Sequence, residues 1–93
     1  MSSDDRDYEL RVTGPAQRQL GRLNEAAATA IAEFMLSALI ENPHRVGRPL
    51  QRELAGLHSA RRGVYRIIYE IDDDAHTVTI LRIDHRAHAY RPR

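Results

Sequence analysis

The chain has 93 residues, 42% hydrophobic and 29% charged, which are the proportions of a globular protein and too apolar for a disordered one. It has no cysteine, which excludes a disulfide scaffold and any Cys-ligated zinc or iron–sulfur centre. Its net charge of +1 comes from 14 arginines against 13 acids, with no lysine anywhere, and no apolar run approaches the roughly 18 residues of a membrane span.

The amino terminus, MSSDDRDY, is acidic and polar, unlike a secretory signal or an Arg-rich transit peptide, so the cytoplasm is the expected compartment. Tyr8 to Thr13 alternates Tyr8, Leu10 and Val12 with Glu9, Arg11 and Thr13, which predicts a strand with one buried face. Gly14–Pro15 punctuates the chain, and Pro15 suits the first turn of a helix carrying Ala16, Leu20 and Leu23 on its apolar side. Asn24 is the predicted N-cap of a second helix, with Ala27, Ile31, Phe34 and Ala38 on its stripe and Asn42–Pro43 as its stop. His44 to Pro49 reads as a loop, with Gly47 and Pro49 as breakers. From Leu57 the period changes to two. Ala60 to Arg62 approaches Gly63, and VYRIIYEID follows as a strand with Tyr65, Ile67, Tyr69 and Ile71 on one side and Arg66, Ile68 and Glu70 on the other. Asp72 to His76 is a polar connector, and Thr77 to Asp84 is a further strand rich in β-branched residues.

Helices followed by a run of strands define an α+β fold: an N-terminal strand, a helical hairpin, then a mainly antiparallel sheet of about three further strands, all in a single domain spanning 1–93. The charge is unevenly spread. Residues 1–41 carry a balance of −3, residues 42–69 one of +5 with Glu53 as the single acid, and residues 70–93 one of −1. A basic middle segment predicts a localised anion-binding face.

Arg61, Arg62 and Arg66 fall within six positions, and Arg62 and Arg66 would share a face if the strand ran unbroken through Gly63. Guanidinium groups bind phosphate bidentately and keep their charge at any working pH. The same residues would serve equally as surface arginines paired with Glu53, Glu70 or Asp84. His85, His88 and Tyr90 close the chain. The His-x-x-His spacing lacks a cysteine or carboxylate at a telling offset, so neither a metal nor a cofactor is expected, whereas a histidine can exchange a proton near neutrality. Tyr90 offers a hydrogen-bonding phenol, a ring for stacking on a base, or a ring that closes the core. Phosphate-binding, dinucleotide-binding, nucleophile-elbow and metalloprotease motifs are absent from the sequence.

The stretch RPLQRELAGLHSARRGVYRIIYEID and the ending ILRIDHRAHAYR resemble, in order and spacing, the motifs of the RelE/ParE superfamily of toxin–antitoxin toxins. The resemblance covers nearly the whole chain and points to the RelE-like branch, ribosome-dependent endoribonucleases that cut mRNA in the ribosomal A site. It implies metal-free chemistry, with the ribose 2′-OH attacking the adjacent phosphorus to leave a 2′,3′-cyclic phosphate. Arg66 and Arg86 match the transition-state arginines, Tyr90 the terminal tyrosine that orients or activates the 2′-OH, and Arg61 an arginine on the leaving-group side. Arg48, Arg52, Arg62 and His58 are expected to bind RNA. The family prototype carries lysines where Leu57 and Ser59 roughly stand, so the proton acceptor must be Tyr90, His85, His88, His58 or Glu53, with His85 the first choice. The resemblance further implies a RelB-like antitoxin that masks the arginines or displaces the C-terminal tyrosine, a hetero-oligomeric complex, a monomeric free toxin and no membrane partner. His85 to Arg91, with few apolar anchors, is the expected mobile element. ParE-type members share the architecture and poison DNA gyrase; Arg66, Arg86 and Tyr90 together point away from them, and a non-catalytic remnant that binds only antitoxin or RNA is the third reading.

Overall fold

A computed structural model describes residues 7–85. The expected roles of Arg86, His88 and Tyr90, and most of the expected mobile element, fall outside the described residues. Strand β1 (Glu9–Val12) leads into helix α1 (Gly14–Gly21) and helix α2 (Glu25–Phe34), which continues through a π turn (Met35–Leu39). A short helix α3 (Pro43–Val46) and a two-residue strand β2 (Arg48–Pro49) follow. A 3₁₀ turn (Arg52–Leu54) then leads to strands β3 (Leu57–Arg62), β4 (Tyr65–Asp72) and β5 (Thr77–His85). The five strands form one sheet in the order β1-β5-β4-β3-β2, antiparallel except for the parallel pair of β1 with β5. This is the expected α+β fold.

Local chemistry sets the boundaries. The Thr13 side chain accepts from the Ala16 amide at the start of α1, and Asn24 accepts from the Ala27 amide at 2.8 Å at the start of α2. In the π turn the Ser37 hydroxyl donates to the Glu33 carbonyl one turn back at 2.5 Å. One expectation needs correction. The expected loop from His44 to Pro49 contains α3 and β2, because Pro43 pre-sets the first helical turn and Pro49 is tolerated in a strand that lies at the sheet edge. The condition under which Arg62 and Arg66 would share a face is not met: Gly63–Val64 form a two-residue hairpin between β3 and β4, with Gly63 at φ +62°, a left-handed value suited to the first position of such a turn.

The helices cover one face of the sheet. Ala16, Ile31, Met35 and Leu39 pack against Ala60, Ile67, Tyr69, Val78, Ile80 and Ile83, all of them buried. Between Ile80 and Ile83 the pairing of β5 with β4 shifts by one residue: Arg82 lies opposite Ile68 and Ile80 opposite Tyr69, leaving Leu81 as a bulge. Thr13 caps this irregularity, since its hydroxyl meets the Ile80 carbonyl at 2.9 Å and the Leu81 carbonyl at 3.2 Å. The Gln19 side-chain oxygen accepts from the Ile83 amide at 2.7 Å. Helix α1 thus supplies polar partners to the stretch where the ladder is interrupted.

Tyr69 is the largest fully buried side chain, and its hydroxyl donates to the Pro43 carbonyl at 2.6 Å. Burial pushes its pKa up to about 12 from the usual 10. Folding therefore favours the protonated phenol: stability is intact below pH 10 and declines as the pH rises towards 12, because only the unfolded chain ionises there. Alkaline denaturation should show wild type losing about 2–3 kcal/mol more than Tyr69→Phe between pH 10 and 12, although the Phe variant starts about 1 kcal/mol less stable at pH 7.

Candidate functional site

The sheet face opposite the helices carries the alternate residues of β3 and β4. Arg61 and Arg66 are direct cross-strand partners, so both project to this outer face, and Arg48 in β2 joins them by pairing with Ser59. Beside them the segment from α3 through β2 rises as a wall. Together they enclose a cleft of about 670 Å³ lined by Arg45, Val46, Gly47, Arg48, Pro49, Leu50, Ser59, Arg61 and Arg66. Four of the nine lining residues are arginine and none is acidic, so the cleft concentrates positive potential. Like charges facing each other across a strand pair weaken the pairing. An anion seated between Arg61 and Arg66 would relieve that repulsion and accept hydrogen bonds from both guanidinium groups.

The structure gathers some of the expected residues and separates others. Arg48, Arg61 and Arg66 meet in the cleft. Arg45 joins them without having been singled out from the sequence; its only signal was membership of the basic segment. Arg62 is turned away: it pairs with Tyr65 on the helix side, its guanidinium 5.7 Å from the Phe34 ring centre in a cation–π contact. The hairpin at Gly63 is the reason, since it places Arg62 and Arg66 on different strands and opposite faces. His85, the first choice for proton acceptor, is also on the helix side. It pairs with Tyr65, meeting its ring edge-on at 5.3 Å, whereas Arg66 pairs with Asp84. Asp84 is engaged by Arg82 at 3.0 Å. His58 faces the core, stacked near Tyr69 at 5.6 Å, with its Nδ1 buried and no hydrogen-bond partner among the described residues. Burial first, and then the nearby His44, hold its pKa below the usual histidine value, so it is a neutral ring rather than a phosphate-binding cation. Arg52 and Glu53 lie exposed in the 3₁₀ turn and do not line the cleft.

The cleft wall depends on a close approach at Gly47. A Cβ there would collide with the Tyr69 hydroxyl and come within 2.8 Å of the Ser59 carbonyl oxygen. Only glycine lets the chain turn from α3 into β2 over the buried phenol, which brings Arg45 and Arg48 to the rim.

A family model described as the ParE toxin of the type II toxin–antitoxin system parDE matches residues 10–90. The toxin RelE of Mycobacterium tuberculosis is 51% identical over 89 residues, covering 96% of this chain and 92% of the relative. The toxin RelG of the same organism is 52% identical over 84 residues, covering 90% and 97%. The crystal structure of the RelBE2 toxin–antitoxin complex from that organism contains a chain that superimposes with a TM-score of 0.84 at 52% identity, covering 87% of this chain and 93% of that one. A mostly antiparallel sheet backed on one face by helices is thus the architecture of a RelE/ParE superfamily toxin. This chain belongs to that family, as a type II toxin–antitoxin toxin of RelE type.

Gly47→Ala should cost about 1–3 kcal/mol in thermal or urea denaturation, because both obstacles belong to the packed sheet. Pairing it with Tyr69→Phe removes one of the two obstacles. The double variant should therefore be less destabilised than the sum of the singles, and a purely additive result would contradict this packing.

Proposed function

We propose that the protein is a metal-independent endoribonuclease that cuts mRNA in the ribosomal A site and so inhibits translation in the cytoplasm. The observation that carries this reading is the register of β3 against β4, which sets Arg61 and Arg66 side by side in a cleft without carboxylates. In the proposed reaction the 2′-OH gives up its proton and its oxygen bonds to the neighbouring phosphorus. The bond to the 5′-oxygen breaks, and that oxygen takes a proton, leaving a 2′,3′-cyclic phosphate and a 5′-OH. Arg66 stabilises the charge of the phosphorane and Arg61 acts on the leaving-group side, the electrostatic work for which preorganised guanidinium groups are suited. With His85 and His58 turned to the helix side and Glu53 outside the cleft, the proton-accepting role is left to Tyr90 or His88, and Arg86 is the second phosphate cation. Arg45 and Arg48 guide the strand into the cleft.

The similar chain in the RelBE2 toxin–antitoxin complex supports a RelB-like antitoxin as partner; in our reading the two form a hetero-oligomer and the free toxin is a monomer. An antitoxin segment bearing acidic residues would neutralise the cleft.

Poisoning of DNA gyrase is the second reading, favoured by the ParE description of the matching family. The two diverge in one experiment: expression of the chain alone in a bacterium, followed by primer extension on mRNA and assay for double-strand DNA breaks. New mRNA ends without DNA breaks are the expected result, and breaks without new ends would transfer the chain to the gyrase reading. Arg61→Ala and Arg66→Ala should each slow cleavage by roughly 10²–10³ with unchanged circular dichroism. Full growth arrest by both variants would remove these residues from the chemistry.

A further inference from the structure

Helix α3 has only four residues, too few to persist without outside support. Two side chains hold consecutive residues of it. From inside, the Tyr69 phenol donates to the Pro43 carbonyl. From outside, the His44 Nε2 lies 2.9 and 3.1 Å from the two carboxylate oxygens of Asp73, in the connection between β4 and β5. Asp73 is itself fixed, because the Tyr8 hydroxyl donates to it at 2.6 Å while the Tyr8 ring stacks on His76 with centres 3.9 Å apart. The bonds from Tyr8 and then His44 hold the Asp73 carboxyl below its ordinary pKa, so it is anionic at neutral pH. The residue after His44 is Arg45, which lines the cleft.

We propose that Asp73 is a positioning residue for the basic cleft: through His44 it fixes the α3 turn, and with it the guanidinium group of Arg45, against a nucleic-acid strand whose phosphate meets Arg61 and Arg66. This rests on the nucleic-acid reading of the cleft. Asp73 never touches the substrate. Its side chain is 61% exposed and that of His44 51%, and ion pairs so exposed add little to stability. The contribution of the pair is therefore geometric, keeping Arg45 aimed before the strand arrives.

The test measures affinity of the purified full-length chain for a labelled single-stranded RNA across a salt series, alongside kcat and KM for cleavage on ribosomes. Arg45→Ala should weaken binding by about tenfold and flatten the salt slope by about 0.7, the signature of one lost phosphate contact. Asp73→Ala and His44→Ala should each weaken binding several-fold, raising KM with little change in kcat or in melting temperature. Asp73→Ala combined with Arg45→Ala should bind no worse than Arg45→Ala alone, because both act through one guanidinium group. Wild-type affinity in Asp73→Ala, or losses that multiply in the double variant, would overturn the proposal. Should Asp73→Ala fail to fold, the isosteric Asp73→Asn is held to the same comparisons. Wild type that binds RNA in this pattern without cutting supports the inference and removes the nuclease reading. Cleavage that is indifferent to Asp73 does the reverse.

Discussion

One buried hydrogen bond joins the core of this protein to the wall of its basic cleft. Tyr69 sits at the centre of the sheet, pressed between the helices and the strands, and its hydroxyl reaches the carbonyl of Pro43 at the foot of the cleft wall. A phenol in that position cannot shed its proton without leaving a charge in an apolar interior, and a carbonyl in that position cannot turn to water. Each group makes the other tolerable. Because Gly47 then passes directly over the hydroxyl, the course of the chain from α3 into β2 is set by the core. The arginines of the rim inherit their placement from it.

The arrangement sets most of the apolar packing on one sheet face and the cleft's arginines on the other. Val78, Ile80, Ile83, Ile67 and Ala60 look towards the helices and are buried, while Arg48, Arg61 and Arg66 look the other way. The division is not complete, since Ile68 is buried on the same face as Arg66. Arg62 shows the division within a single pair of neighbours: it adjoins Arg61 in sequence yet spends its charge on the ring of Phe34.

Much of this was legible in the sequence. Asn24 at the head of α2, Asn42–Pro43 at the end of the helical run that α2 opens and the alternation of Tyr65 to Ile71 are local signals, and the structure follows them. What the pattern could not reveal depends on tertiary pairing. Breakers such as Gly47 and Pro49 imply a loop by composition, but an edge strand needs only two residues and the right neighbour. The spacing of Ile80 and Ile83 carried a signal that went unread. Strict alternation from Val78 would have taken Arg82 and Asp84 beneath the helices, and the extra residue at Leu81 reverses the phase before that happens. The same phase sends His85 to the helix side, which is why proximity in sequence to the cleft's arginines did not translate into proximity in space.

The absence of lysine gives the cleft a property beyond its shape. Guanidinium groups do not titrate under physiological conditions and have no nucleophilic amine to be acylated. Neither acidity nor the common amine modifications can dim the potential over this surface. Muting it therefore requires another anion, from dissolved salt or from a carboxylate-bearing surface laid across it, so the off state of such a site has to be a bound state.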